Sequence, residues 1–170
     1  MGQDRVKQYR RWFDYEKDSH RKVLASIETV SLVQRNQPPF QKAIELFGHI
    51  VAARQVWLFR FGVIPEGPAS LFPSGLTLET LREKLAKIEN DWDVYLAGMK
   101  DSDLERKFEY RSLDSRWFRS GIDDILTQLF GHSLYHRGQI ATLVGSMGGQ
   151  VAITDFVYWS REAISGPSEI

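Results

Sequence analysis

The chain has 170 residues, enough for one domain with a real apolar core. Lys plus Arg and Asp plus Glu each number 22, so the formal net charge is zero, which argues against a general affinity for nucleic acid or an anionic membrane. There is no cysteine, which excludes disulfides, zinc–thiolate sites and a protein thiolate nucleophile. The start of the chain, residues 1–11, is polar and has no apolar signal-peptide core. No window approaches the ~20 apolar residues of a membrane span. The expectation is a cytoplasmic protein that contacts neither membrane nor nucleic acid, folded as a single domain over residues 1–170.

Residues 4–33 read as a first helix, with Tyr9, Trp12, Phe13, Val23, Leu24, Ile27 and Val30 at helical steps and Glu16 and His20 as polar interruptions. Asn36-Gln37-Pro38-Pro39 breaks it, and proline suits the first turn of a second helix over 39–60. That helix carries an apolar stripe of Phe40, Ala43, Ile44, Phe47, Val51 and Leu58. A flanking line of Leu46, His49, Ala53 and Trp57 lets His49 point toward a helical interior. Residues 61–75 hold Gly62, Pro65, Gly67, Pro68, Pro73 and Gly75, a connection long enough to cover a pocket. Thr77 caps a third helix over 78–96, with Glu83 and Lys87 as an i,i+4 pair on its wet side. Alternation from Leu104 to Arg111 predicts a strand, and Leu113-Asp114-Ser115 turns it into a second around Trp117. Ser120 and Asp123 resemble a capping box opening a fourth helix over 122–147, which Gly148-Gly149 ends. Thr154 or Asp155 caps a last short helix to about residue 163, burying Phe156, Val157 and Trp159. The tail Gly166-Pro167-Ser168 should fray.

The reading is all-α: a four-helix bundle with a small β-hairpin between helices 3 and 4 and a short C-terminal helix. The short first connection predicts that helices 1 and 2 are antiparallel neighbours. Within the fourth helix, Ile125, Leu129, His132, His136, Ile140 and Leu143 follow one face. A buried imidazole left unpaired is costly, and histidines one turn apart can share one ion. His-x-x-x-His also arises by chance. Ser133 stands where zinc peptidases carry their catalytic Glu, so that mechanism lacks its base. With His49, the pair would give three nitrogen ligands for Zn²⁺ or another divalent first-row ion and an open coordination position. Whether His49 lies near the other two depends on the fold.

Two segments then suggest a family. Leu46-Phe47-Gly48-His49-Ile50-Val51-Ala52-Ala53-Arg54-Gln55-Val56-Trp57-Leu58 resembles the second-helix motif of the DinB/YfiT-like metal-binding superfamily. Leu129-Phe130-Gly131-His132-Ser133-Leu134-Tyr135-His136-Arg137-Gly138-Gln139-Ile140 resembles its fourth-helix motif. The resemblance implies an up-down-down-up bundle, commonly a homodimer, with His49, His132 and His136 as ligands of a divalent ion such as zinc or nickel. It also implies a metal-dependent enzyme acting on a small molecule, foremost a thiol-dependent S-transferase using a low-molecular-weight thiol cosubstrate. A metal-dependent hydrolase and a non-catalytic, stress-associated metal-binding dimer are the alternatives.

Other residues carry plainer expectations. His20 reads as a polar core or surface residue. Arg137 and Gln139 read as makers of helix–helix or dimer hydrogen bonds, and Gly138 as a site of close helix approach. Tyr135 and Trp57 read as core. Ser133 should bond its own helix backbone. Glu45, the nearest carboxylate before His49, reads as a solvated helix residue. Arg54 and Arg60 are guesses for a recess that takes the cosubstrate.

Overall fold

The computed structural model describes residues 4–112 and 114–163. It contains α1 (Arg5–Glu28), α2 (Pro38–Arg60), α3 (Leu78–Gly98), a helical turn α4 (Asp101–Leu104), strands β1 (Lys107–Arg111) and β2 (Trp117–Gly121), α5 (Ile122–Ser146) and α6 (Phe156–Ser160). The four long helices α1, α2, α3 and α5 make the bundle. Its directions follow from end-to-end contacts. Arg10 on α1 donates to the carbonyls of Leu96 and Ala97 at the end of α3, so those two helices are antiparallel. Gln41 meets Leu76 and Phe61 stacks on Tyr95, so α2 and α3 run the same way. Tyr9 meets Asp123 at one end of α5 and Ser26 meets Gln150 just beyond the other, so α1 and α5 are parallel. The topology is up-down-down-up.

The neighbours differ from expectation. α1 and α2 are antiparallel but face one another across the bundle diagonal, each packing chiefly on α3 and α5. The short connection permits this because it is not a tight turn: a 3-10 turn, Gln34–Asn36, carries the chain across the end of the bundle. The core between the helices is dense and apolar, with Ile27, Phe47, Leu58, Leu81, Trp92 and Val144 fully buried.

Several element ends moved for tertiary reasons. α1 stops at Glu28, not near residue 33, because Arg35 donates to the carbonyls of Glu28 and Val30 and so caps them. Gly149 packs so closely that a Cβ there would lie 2.7 Å from Val144 and 3.0 Å from Val30, which fixes the close of α5 against the end of α1. Asp101 begins α4 and accepts from the Arg5 and Val6 amides at 3.1 and 3.0 Å, serving the open N-terminus of α1. The strand therefore begins at Lys107, and Leu104 is a buried helical residue.

The Ser120 capping box does not form. Ser120 pairs with Phe108 in the antiparallel hairpin, and β2 runs straight into α5 through Gly121. Lys87 pairs with Asp91 at 2.9 Å, another acid one turn away on the same wet face, rather than with Glu83. α6 ends at Ser160. Phe156 and Trp159 pack on Tyr15 at 5.1 and 5.8 Å, while Val157, about 100° further round the helix, is exposed. Leu113 of the expected turn and the tail Gly166-Pro167-Ser168 lie outside the described residues.

Candidate metal centre

The site forms where the middle of α2 faces the middle of α5. The Nε2 atoms of His49 and His132 lie 3.0 Å apart, and those of His136 and His132 lie 3.1 Å apart. The three histidines form a group that could hold one metal ion. Partners on the far side of two rings fix their tautomers. His49 Nδ1 donates to the Leu71 carbonyl at 2.6 Å, and His136 Nδ1 donates to Gln139 Oε1 at 2.7 Å. Both Nε2 atoms therefore carry lone pairs. Three neutral imidazoles hold at most one proton between these nitrogens, from His132. Lone pairs this close repel unless something positive joins them. Nitrogens about 2.0–2.1 Å from a common ion stand roughly 3.0–3.4 Å from one another, which the two pairs that include His132 match; all three ligand atoms lie within 4.8 Å of one another.

Electrostatics point the same way. Burial, followed by the charges of His136, His49 and Arg54, lowers the His132 pKa to about 4. Burial also lowers that of His49; its bond to Leu71 opposes the shift, and the His136 and Lys42 charges add to it. Both rings are poised in the neutral, ligating form.

The connection after α2 does cover the site. Phe72 stacks on His49 with ring centroids 4.6 Å apart and planes 8° from parallel, beside the Leu71 carbonyl that fixes the ring. On α2, Gly48 allows the approach: a Cβ there would lie 2.5 Å from Leu76 and 2.9 Å from Pro73. A cavity of about 250 Å³ opens beside His49 and His132, lined also by Trp57, Arg60, Leu71, Tyr110, Ser112, Gln128 and Leu129. A larger groove of about 730 Å³ runs along Lys22, Ser26 and Thr29 of α1 and residues 150–153; none of the trio lines it.

Other expected residues fall into place around this centre, some with changed roles. Trp57 is half-buried and lines the cavity while packing on the core. Tyr135 is 65% exposed, since the residue before His136 lies about 100° off the ligand face. Arg60 lines the cavity, but Arg54 is buried in an ion pair with Glu16 and so is closed to a cosubstrate. Arg137 makes a helix–helix bond to the Tyr15 hydroxyl at 2.9 Å, whereas Gln139 serves His136. Gly138 has open space where a Cβ would stand, so it is not a point of close helix approach. Ser133 donates to the Leu129 carbonyl, as a helical serine does. His20 is a core residue, its Nδ1 2.8 Å from Glu89. Among the described residues, Glu45 makes no hydrogen bond or ion pair with the trio.

Sequence reasoning missed Leu71, Phe72, Tyr110, Gln128 and the true role of Gln139. Gln139 and Gln128 had a signal, at three residues after His136 and four before His132 on one helix. For Leu71 and Phe72 the signal was the length of the 61–75 connection alone, and the hairpin residue Tyr110 had none.

The family model described as the DinB family matches residues 1–166. The fold is similar to the crystal structure of a DinB-like protein from Bacillus cereus ATCC 10987, with a TM-score of 0.65 and 24% identity. The match covers 85% of this chain and 94% of that one. No curated protein matches. Among the described residues, no helix is long and apolar enough to cross a membrane. With three histidines converging inside such a bundle, and a family model matched over almost its whole length, the chain belongs to the DinB family.

Proposed function

We propose that this protein is a divalent-metal-dependent enzyme that transfers a low-molecular-weight thiol to a small electrophile. The observation that carries this reading is the convergence of three imidazole Nε2 atoms beside a cavity of about 250 Å³. His49, His132 and His136 would hold the ion, zinc or nickel, which when bound supplies Lewis acidity toward a thiol or a water molecule. The Leu71 carbonyl and the Gln139 side chain hold two of the rings in the ligating tautomer. Phe72 stacks on His49, and Trp57 and Leu129 supply apolar walls to the cavity beside it.

The chain has no cysteine, so the sulfur nucleophile comes from a cosubstrate. Its thiolate forms the new bond to carbon, the leaving group departs with the bonding pair, and the thiol proton passes to solvent. The described cavity lining contains no carboxylate to act as a general base. A thiol, with a pKa of about 8.5, needs less help to ionise than water does.

The test pairs elemental analysis with activity. The purified protein should hold about one ion per chain, the His49→Ala/His132→Ala/His136→Ala variant none. The loaded protein should conjugate a thiol panel to monochlorobimane. Failure to take up added zinc or nickel would remove the metal reading. Metal uptake with ester hydrolysis and no conjugation would replace the transferase by a hydrolase.

A further inference from the structure

Arg60 stands at the cavity wall in an unusual setting. Its guanidinium carbon lies 4.8 Å from the Trp57 ring centre and 4.9 Å from that of Tyr110. Nη2 donates to the Arg111 carbonyl at 2.9 Å. No carboxylate pairs with Arg60 among the described residues, and none lines the cavity beside it. Two ring faces hold a guanidinium in place but accept none of its hydrogen bonds. The side chain is thus fixed, half-buried and, among the described residues, without a counter-ion, in the same cavity as two of the three histidines. The rest of that lining, including Ala53, Val56 and Leu129, is mainly apolar.

We propose that Arg60, packed against the edge-to-face pair of Trp57 and Tyr110, is a specificity-determining residue that binds the carboxylate of a small substrate whose apolar body lies in the cavity beside His49 and His132. This rests on reading that cavity as the substrate site. A carboxylate offers two acceptors in the plane of the guanidinium fork and the missing negative charge. The volume suits a body of about one ring rather than a long chain. An Arg60 with a purely structural role would pin the hairpin through Arg111 and show no preference for an anion.

The experiment compares benzoate with benzamide, of the same shape but uncharged, by calorimetric titration. It is run first on metal-free protein, where the carboxylate has no ion to coordinate, and then on zinc-loaded protein. Metal-free wild type should bind benzoate about ten- to hundred-fold more tightly than benzamide. Arg60→Gln should abolish that preference, and Arg60→Lys should restore only part of it, since an ammonium lacks the planar fork. Equal binding of the two probes by wild type would overturn the proposal without recourse to any variant. So would inorganic phosphate that displaces benzoate at lower concentration than benzoate itself requires. Wild type that takes up zinc and conjugates thiols but shows no benzoate preference would defeat this inference alone. A retained preference in protein that takes up no metal would defeat the enzymatic reading alone.

Discussion

At His136 the nitrogen that faces His132 is governed by an atom on the opposite side of the ring. Gln139 Oε1 accepts from Nδ1 at 2.7 Å, which keeps the proton off Nε2 and fixes the plane of the ring. Leu71 does the same for His49 through a backbone carbonyl, which no side-chain substitution removes. Gln139 is therefore the place to test this support. Gln139→Leu keeps the helix and much of the side-chain volume but deletes the acceptor. It should weaken zinc binding about ten- to hundred-fold, measured by competition with a chelator, while the melting temperature stays nearly constant. Unchanged zinc affinity would show that packing alone orients His136.

Among the elements, the crossing of α2 under the 61–77 connection decides how well the centre is closed. Gly48 precedes His49 and has no room for a Cβ, because Leu76 and Pro73 would stand 2.5 and 2.9 Å from it. The tip of a leucine yields readily, but a proline ring moves with its backbone. Gly48→Ala should therefore lift the connection, and with it the Leu71 acceptor and the Phe72 ring. Helix propensity favours alanine by about 1 kcal/mol, whereas overpacking costs typically 1–3 kcal/mol. The expected result is a bundle that still folds, with lower zinc affinity and with His49 more open to solvent. The chelator competition and the rate of His49 modification by diethyl pyrocarbonate report the two effects. Unaltered values for both would mean that the connection shifts without disturbing its hold on His49.

Across the whole molecule, a polar layer is buried inside the bundle: Glu16, Ser19, His20, Arg54, Ser133 and Arg137 lie at 4% exposure or less. Burial lowers the His20 pKa from 6.5 to about 3, and burial raises that of its partner Glu89 from 4.5 to about 7. The signs follow from linkage. Below about pH 6.5 the unfolded chain protonates His20 while the folded protein does not, so His20 costs stability increasingly as pH falls toward 3. Glu89 acts oppositely: the folded protein keeps its proton longer, so its contribution is lost as pH rises from about 4.5 to about 7. His20→Gln, which can keep a hydrogen bond to Glu89 without titrating, should flatten the loss of stability between pH 6.5 and 4 in urea denaturation. Parallel curves for wild type and variant would show that His20 binds its proton as readily in the folded as in the unfolded chain. The bundle helices, the hairpin and the three histidines were legible in the residues because helical and strand periods mark which face is buried. The two histidine motifs also sit at the spacing of a known family. What those periods do not encode is the object a face is buried against. Only tertiary packing put α1 and α2 on a diagonal, ended α1 at Glu28 through Arg35, locked Arg54 onto Glu16, and brought Leu71, Gln139 and Arg60 to the centre. Each of those outcomes depends on contacts between segments distant in sequence or on how one helix face is set against another, and a one-dimensional pattern fixes neither.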